Sequence, residues 1–346
     1  MSRNRIAFEH LQRFVRGVAP SALCAAFWVF GSWASAQAAG TLVTFDPPGS
    51  AGTVASGINS KGVITGFYDD ANYVAHGYVR ATDGTITSFD PPGSTTTLAY
   101  SINDKGEVVG AYADTIGFSH GFLREADGTI TTFDPPNSTS TGVYGINDKD
   151  EFAGSYSNFG GTARPFLRLR SGKTKTIKFP GSHDGAAFGI DKQGAIAGYY
   201  EANDKLPHGF VRLADGTLES FDPSGSTFTL TYGINDHDSV TGLYTDKKGV
   251  SHGFVRTADG TITSFDPKGS KSTDGRAINV QGEIVGTFTD SSDAYHGFVR
   301  APDGTITTID IPGAIRSDVD GINKKGVIVG DYEDNSLMLH GFVLSP

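Results

Sequence analysis

Side chains fit for acid–base or metal chemistry recur at fixed spacing. His76, His120, His208, His252, His296 and His340 lie at multiples of 44 residues from one another. Asp90, Asp134, Asp222, Asp266 and Asp310 each follow a histidine by 14 residues, and Asp46 occupies the same place in an earlier copy. A metal centre needs its ligands to converge within a few ångströms, whereas one histidine per repeat disperses them. A hairpin centred on Asp127 instead sets His120 opposite Asp134, within hydrogen-bonding reach across the ladder. The copy without the histidine has Arg164 there and Lys178 at the aspartate position, so both partners are lost together. The spacing therefore predicts structural His–Asp pairs, with His340 reaching Asp46 from the far end of the chain. No HExxH, EF-hand loop or P-loop occurs, and neither a metal nor another cofactor is implied.

The positions that break the repeat are better candidates for a site. Ser56, Tyr100, Tyr144, Phe188, Tyr232, Arg276 and Asp320 are equivalent by the 44-residue step, and the last two bring opposite charges to successive units. Arg276, Asp318 and Asp320 form the first candidate for a polar ligand site; a simple ion pair accounts for the same residues. Asp318 and Asp320 would serve as acid and base only if both project onto one face. Tyr73, Phe118, Phe159 and Tyr295 place aromatic rings in seven-residue segments that vary between copies at constant length. These are binding candidates, and drift in solvated loops explains them equally well. Arg164, Arg170, Lys173, Lys175 and Lys178 form a basic patch without an intervening acid. It suits an anionic polysaccharide or lipid headgroup, or else a charged edge that deters strand pairing. Arg168, within the same stretch, belongs to a repeating series (Arg80, Arg124, Arg212, Arg256, Arg300) and reads as structural.

Positioning these residues falls to a repeat that fills the chain after its first forty residues. Ile58, Ile102, Ile146, Ile190, Ile234, Ile278 and Ile322 mark seven copies with no insertion, each followed by Asn or, once, Asp191. Each copy reads as four short strands, in the second copy roughly Leu98–Asn103, Glu107–Tyr112, His120–Arg124 and Thr129–Asp134. Tight turns at Asp104-Lys105-Gly106 and Ala126-Asp127-Gly128 separate the paired strands. Four strands in about 44 residues predict a propeller blade. The recurring Tyr68, Tyr112, Tyr156, Tyr200, Tyr244, Phe288 and Tyr332 share a face with apolar positions and read as core. Thr41–Asp46 reads as a fourth strand without its first three, and His340–Val343 as a third strand without its fourth. The expected fold is all-β: a single seven-bladed propeller of four-stranded blades, in which the N-terminal strand completes the last blade.

Through these Gly-Ile-Asn-Asp turns, Val-Val-Gly strands and recurring His-Gly-Phe, residues 41–346 resemble the bacterial extracellular repeat proteins named for a His-Ala-Phe motif. Glycine replaces the middle alanine here. The resemblance implies an extracellular location and brings no shared activity or catalytic residue.

Arg3, Arg5, Arg13 and Arg16, an apolar run from Val18 to Trp33, and Ala34-Ser35-Ala36 or Ala36-Gln37-Ala38 read as an export signal over residues 1–38. The propeller then spans 39–346. Without its four arginines and Glu9 the formal charge moves from −10 to −13, and the sole cysteine, Cys24, is lost. An acidic surface argues against nucleic acid as a partner. A secreted or periplasmic protein with no membrane span after signal cleavage is expected; its oligomeric state is open. Two functions fit. One is a non-catalytic binding or scaffold propeller for a glycan or an extracellular protein, using the variable loops. The other is a propeller lyase or hydrolase acting on a polysaccharide or small molecule at the channel mouth.

Overall fold

A computed structural model describes residues 40–159, 161–182 and 184–346; the export signal expected over 1–38 lies outside them. Within these residues every regular element is a β-strand. The second copy shows the pattern: Thr96–Ile102, Val108–Ala113, Ser119–Arg124 and Ile130–Phe133, paired antiparallel in sequence order. The tight turns form because glycine takes the left-handed conformation that other residues resist, as at Gly106 (φ 91°) and Gly128 (φ 95°).

Successive copies build four-stranded antiparallel sheets. Two neighbouring groups join into one eight-stranded sheet through a single parallel bridge, Ser140 to Ser119. Thr41–Phe45 pairs with Leu339–Ser345 in the register Thr41 to Ser345 and Phe45 to Gly341, so residues from the two ends of the repeat share one sheet.

The core is laid down copy by copy. Tyr78, Phe122, Phe166, Phe210, Phe254, Phe298 and Phe342 are all fully buried, each opposite a glycine of the second strand. A Cβ on any of these glycines, Gly66 through Gly330, would stand 1.9–2.1 Å from a carbonyl oxygen of the first strand. That approach excludes every other residue type. Each buried ring contributes about 1.5–3 kcal/mol by leaving water. Arginines of the third strand cover the outer phenylalanines: Arg80 lies 4.8 Å over Phe45 and Arg168 4.3 Å over Phe133.

Neighbouring copies are tied along their inner edge. The Nδ2 of Asn59, Asn103, Asn147, Asn235, Asn279 and Asn323 each donates to a backbone carbonyl of the next copy at 2.9–3.2 Å; Asn323 donates to Asn59. Asp191 occupies the seventh place and has no amide to donate. Its Oδ1 accepts from the backbone of Gly194 and Ala195, while its Oδ2 is buried without a partner.

One irregularity repeats in every inner strand. The register slips between Ala55 and Gly57, Ala99 and Ser101, Val143 and Gly145, Ala187 and Gly189, Thr231 and Gly233, Gly275 and Ala277, and Val319 and Gly321. Such a β-bulge leaves one residue unpaired and turns its side chain out of the ladder. The extra residues are Ser56, Tyr100, Tyr144, Phe188, Tyr232, Arg276 and Asp320.

Candidate functional site

All seven bulge residues line one central cavity of about 230 Å³. Its floor is the ring of repeat isoleucines, Ile58 to Ile322, which also bounds a second cavity of about 240 Å³ among the asparagines. The upper cavity lies on the side of the loops that join second to third strands. Its wall has two halves. Tyr100, Tyr144, Phe188 and Tyr232 form an aromatic arc with neighbouring ring centroids 5.2–5.6 Å apart. Arg276 and Asp320 face inward on the remaining arc, joined Nη1 to Oδ1 at 2.5 Å, and Ser56 fills the seventh place with a small side chain.

Behind that pair is a buried charged group that the repeat supplies nowhere else. Asp274 and Asp318 approach Arg276 at 3.4 and 3.6 Å, and Arg316 Nε donates to Asp318. Asp331 lies opposite Asp318 in the ladder. Burial and the negative charges of Asp320 and Asp318 push the Asp331 carboxyl well above the usual range. Burial also raises Asp320, although Arg276 opposes the shift. Burial works against the charge on Arg276, but Asp320, Asp318 and Asp274 hold its proton more firmly than usual. Five other copies have apolar or small residues at the Asp318 position (Val54, Leu98, Gly142, Ala186, Leu230), and the sixth has Asp274 itself. Asp274, Arg316 and Asp331 escaped the sequence reading, yet each is a charged departure at a 44-residue position.

Asp318 departs from its expected place. It is fully buried and lines neither cavity, so it cannot meet a ligand beside Asp320. The bulge is the reason: Asp320 is the residue it ejects inward, whereas Asp318 stays in register with Asp331. Alternation along a regular strand, the basis for pairing the two carboxylates, does not apply across a bulge.

The histidines sit at the outer rim of the same face. His76, His120, His208, His252, His296 and His340 each place Nδ1 2.6–2.7 Å from Asp90, Asp134, Asp222, Asp266, Asp310 and Asp46 respectively. Each Nε2 meets a second aspartate belonging to the adjoining loop, for example Asp114 at 3.2 Å from His120 and Asp334 at 3.4 Å from His340. Those loop aspartates also cap their own loops: Asp70 Oδ1 accepts from the amides of Asn72 and Val74. The histidine thus bolts the loop to the outer strand. The 44-residue recurrence of Asp70, Asp114, Asp246, Asp290 and Asp334 was the available signal for it. Among the described residues no group of three or more His, Cys, Asp or Glu is placed to hold a metal ion.

This set of loops, six anchored by a histidine and the seventh (residues 157–163) without one, carries most of the exposed apolar side chains. Tyr73 and Phe159 are 80% and 86% exposed, and Ile116, Phe118, Leu206, Tyr295, Leu337 and Met338 stand in the same loops of other copies. Tyr73 and Leu337 occupy loop tips with φ of 60° and 64°. Tyr295 lies under the Arg316 guanidinium at 5.0 Å, which connects the loop rim to the buried charged group. The turns of the opposite face present no exposed large apolar residue among the described residues.

In the basic patch, Arg164, Arg170, Lys173, Lys175 and Lys178 are all exposed on or beside the short outer strand Thr174–Thr176. Arg170 is 3.3 Å from Asp150, an acid outside the stretch. Arg168 stays on Phe133 as its repeat position requires.

No family model and no curated protein matches the chain. Solved structures share its architecture. The BP39L lectin from Burkholderia pseudomallei is 9% identical, with 86% of this chain and 98% of that chain covered and a TM-score of 0.54. A chain from a structural and mechanistic study of two prolyl endopeptidases is 12% identical, with 82% and 47% covered and a TM-score of 0.59. The present chain thus spans about half of that peptidase chain. These likenesses, with the four-stranded sheets, establish an all-β propeller fold. Among the described residues no helix is long and apolar enough to cross a membrane.

Proposed function

We propose that the protein is an exported, non-catalytic binding propeller that holds a glycan on the face of its second-to-third-strand loops. The ring has seven blades and closes through the pairing of Thr41–Phe45 with Leu339–Ser345. The observation that carries the reading is the concentration of exposed apolar side chains in one set of loops on one face. Scattered single apolar residues are ordinary on a surface, but a one-sided crown of them marks a binding face. Their rigidity matters as much as their chemistry. The Asp–His–Asp clamps fix six of the seven loops, that of Tyr73 included, before any ligand arrives, which lowers the entropy lost on binding. Tyr73 and Phe159 offer flat faces to the apolar side of a sugar ring, and nearby aspartates accept hydrogen bonds from its hydroxyls.

The fold does not choose between binding and catalysis, since a lectin and a peptidase share it. The site does. With Asp318 sealed away from the cavity, the Asp318–Asp320 pair lacks the shared face that acid–base catalysis requires.

The test is binding of the purified protein to arrays of bacterial and plant polysaccharides, followed by titration calorimetry on the best ligand. Tyr73→Asn keeps a residue that tolerates the left-handed backbone and removes the ring. Together with Phe159→Ala it should weaken binding about ten-fold each, with thermal stability unchanged. Unaltered affinity in both variants would remove the loop face from the proposal.

A further inference from the structure

The central cavity has a chemistry of its own that the loop face does not explain. Four aromatic rings form one wall, and ring faces attract positive charge through their quadrupole. The opposite wall carries a negative excess. Four carboxylates, Asp274, Asp318, Asp320 and Asp331, surround two guanidiniums, Arg276 and Arg316. The Asp331 carboxyl is pushed well above the usual range, and even with that carboxyl left out of the count, three carboxyl groups face two guanidiniums. Arg276 does not spoil this, because three carboxylates lie within 3.6 Å of it. In a recess with low-dielectric walls such an excess is screened less than on an open surface. Space is provided as well. Ser56 stands between Asp320 and Tyr100 where four other copies place an aromatic ring, which leaves a notch in the wall.

We propose that this cavity binds the ammonium headgroup of a small organic cation, with the charge at the notch between Asp320 and Tyr100 and the alkyl substituents against the aromatic arc. This goes beyond the glycan reading and does not depend on it: one concerns the loop rim, the other the wall of the central recess. Neither side requires a metal or a covalent step. The aromatic wall supplies cation–π contact, and the buried carboxylates behind Asp320 supply the field.

The experiment is calorimetric titration of the full-length protein with choline and, in parallel, with 3,3-dimethylbutan-1-ol, which has the same shape and no charge. Choline should bind at least ten-fold more tightly than the neutral alcohol. Ser56→Tyr restores the residue type that other copies carry at this bulge, so it should fold and melt normally while closing the notch and abolishing choline binding. Phe188→Leu keeps an apolar wall without its ring and should weaken choline about three- to ten-fold while leaving the alcohol unaffected. Equal binding of the two probes, no binding of choline at tens of millimolar, or choline binding unchanged in Ser56→Tyr would each overturn the proposal. The loop variants Tyr73→Asn and Phe159→Ala should leave choline binding unchanged, so the failure of one reading does not carry the other with it.

Discussion

Replacing Asp191 by Asn should stabilise the protein, by an amount that depends on pH. Six copies close the inner edge with an asparagine amide donating to the next copy, and Asp191 alone leaves its place in that ladder unfilled. Its backbone-facing oxygen is already satisfied by Gly194 and Ala195; an asparagine oxygen elsewhere in the repeat likewise accepts two amides of this turn, as Asn59 does from Lys61 and Val63. The substitution therefore adds one buried hydrogen bond, to the carbonyl of Asn235, worth about 0.5–1.5 kcal/mol. It also removes an unpartnered buried carboxylate oxygen, which costs about 1–3 kcal/mol. Allowing for overlap, the gain is about 1–3 kcal/mol near neutral pH. With an unfolding entropy of about 2 cal/mol/K per residue, a domain of this size should melt about 2–5 °C higher.

The pH arm tests the cause. Burial raises the Asp191 carboxyl above its ordinary value. Between the unfolded and folded values the native state binds the extra proton, so native stability falls as pH rises through that interval. The asparagine variant has no such proton. Its advantage should be large at pH 7.5 and shrink toward pH 4, where a protonated Asp191 can donate much as an amide does. Differential scanning calorimetry at both values decides the matter. No gain at pH 7.5, or a gain of the same size at both, would refute the assignment.

Two further outcomes follow from particular contacts. Gly198→Ala places a Cβ 2.1 Å from the Ala186 carbonyl oxygen and 2.9 Å from the Phe210 ring, and should cost about 3 kcal/mol or more in a thermal melt. Gly225→Ala, with φ 82° and nothing within 4 Å, should cost only the backbone preference, about 1–2 kcal/mol, so equal losses would discredit the packing argument. Asp46→Ala deprives both His340 and Thr53 of a partner and should cost about 1–2 kcal/mol. Burial opposes the charge on His340, but the hydrogen bond and charge of Asp46, aided by Asp334, hold its imidazole above the usual value. Stability from a raised histidine is present at low pH and fades as pH climbs through the folded value, so the loss in Asp46→Ala should be greater at pH 5.5 than at pH 8.5.

Much of this protein is legible in one dimension because its structure repeats in one dimension. The 44-residue step, the strand–turn alternation and the His–Asp spacing are local properties, and each copy obeys the same backbone rules. The strand limits expected for the second copy fall within two residues of those observed, and the His120–Asp134 separation follows from hairpin geometry alone. The residues that break the repeat were also visible, which is why Arg276 and Asp320 could be singled out. Their meaning was not. A bulge adds one residue to one strand of a pair, and no residue type marks it in these copies. Spacing therefore left open whether Asp318 and Asp320 share a face, and the bulge parts them. Whether Asp274, Arg316 and Asp331 gather behind Arg276 depends on how neighbouring sheets pack, a relation between residues up to 57 apart that the 44-residue step alone does not reveal. Sequence determined the unit and its deviations. Only the tertiary structure decided which deviations meet, because side-chain direction at a bulge and contact between sheets are set by the assembled backbone, not by spacing along the chain.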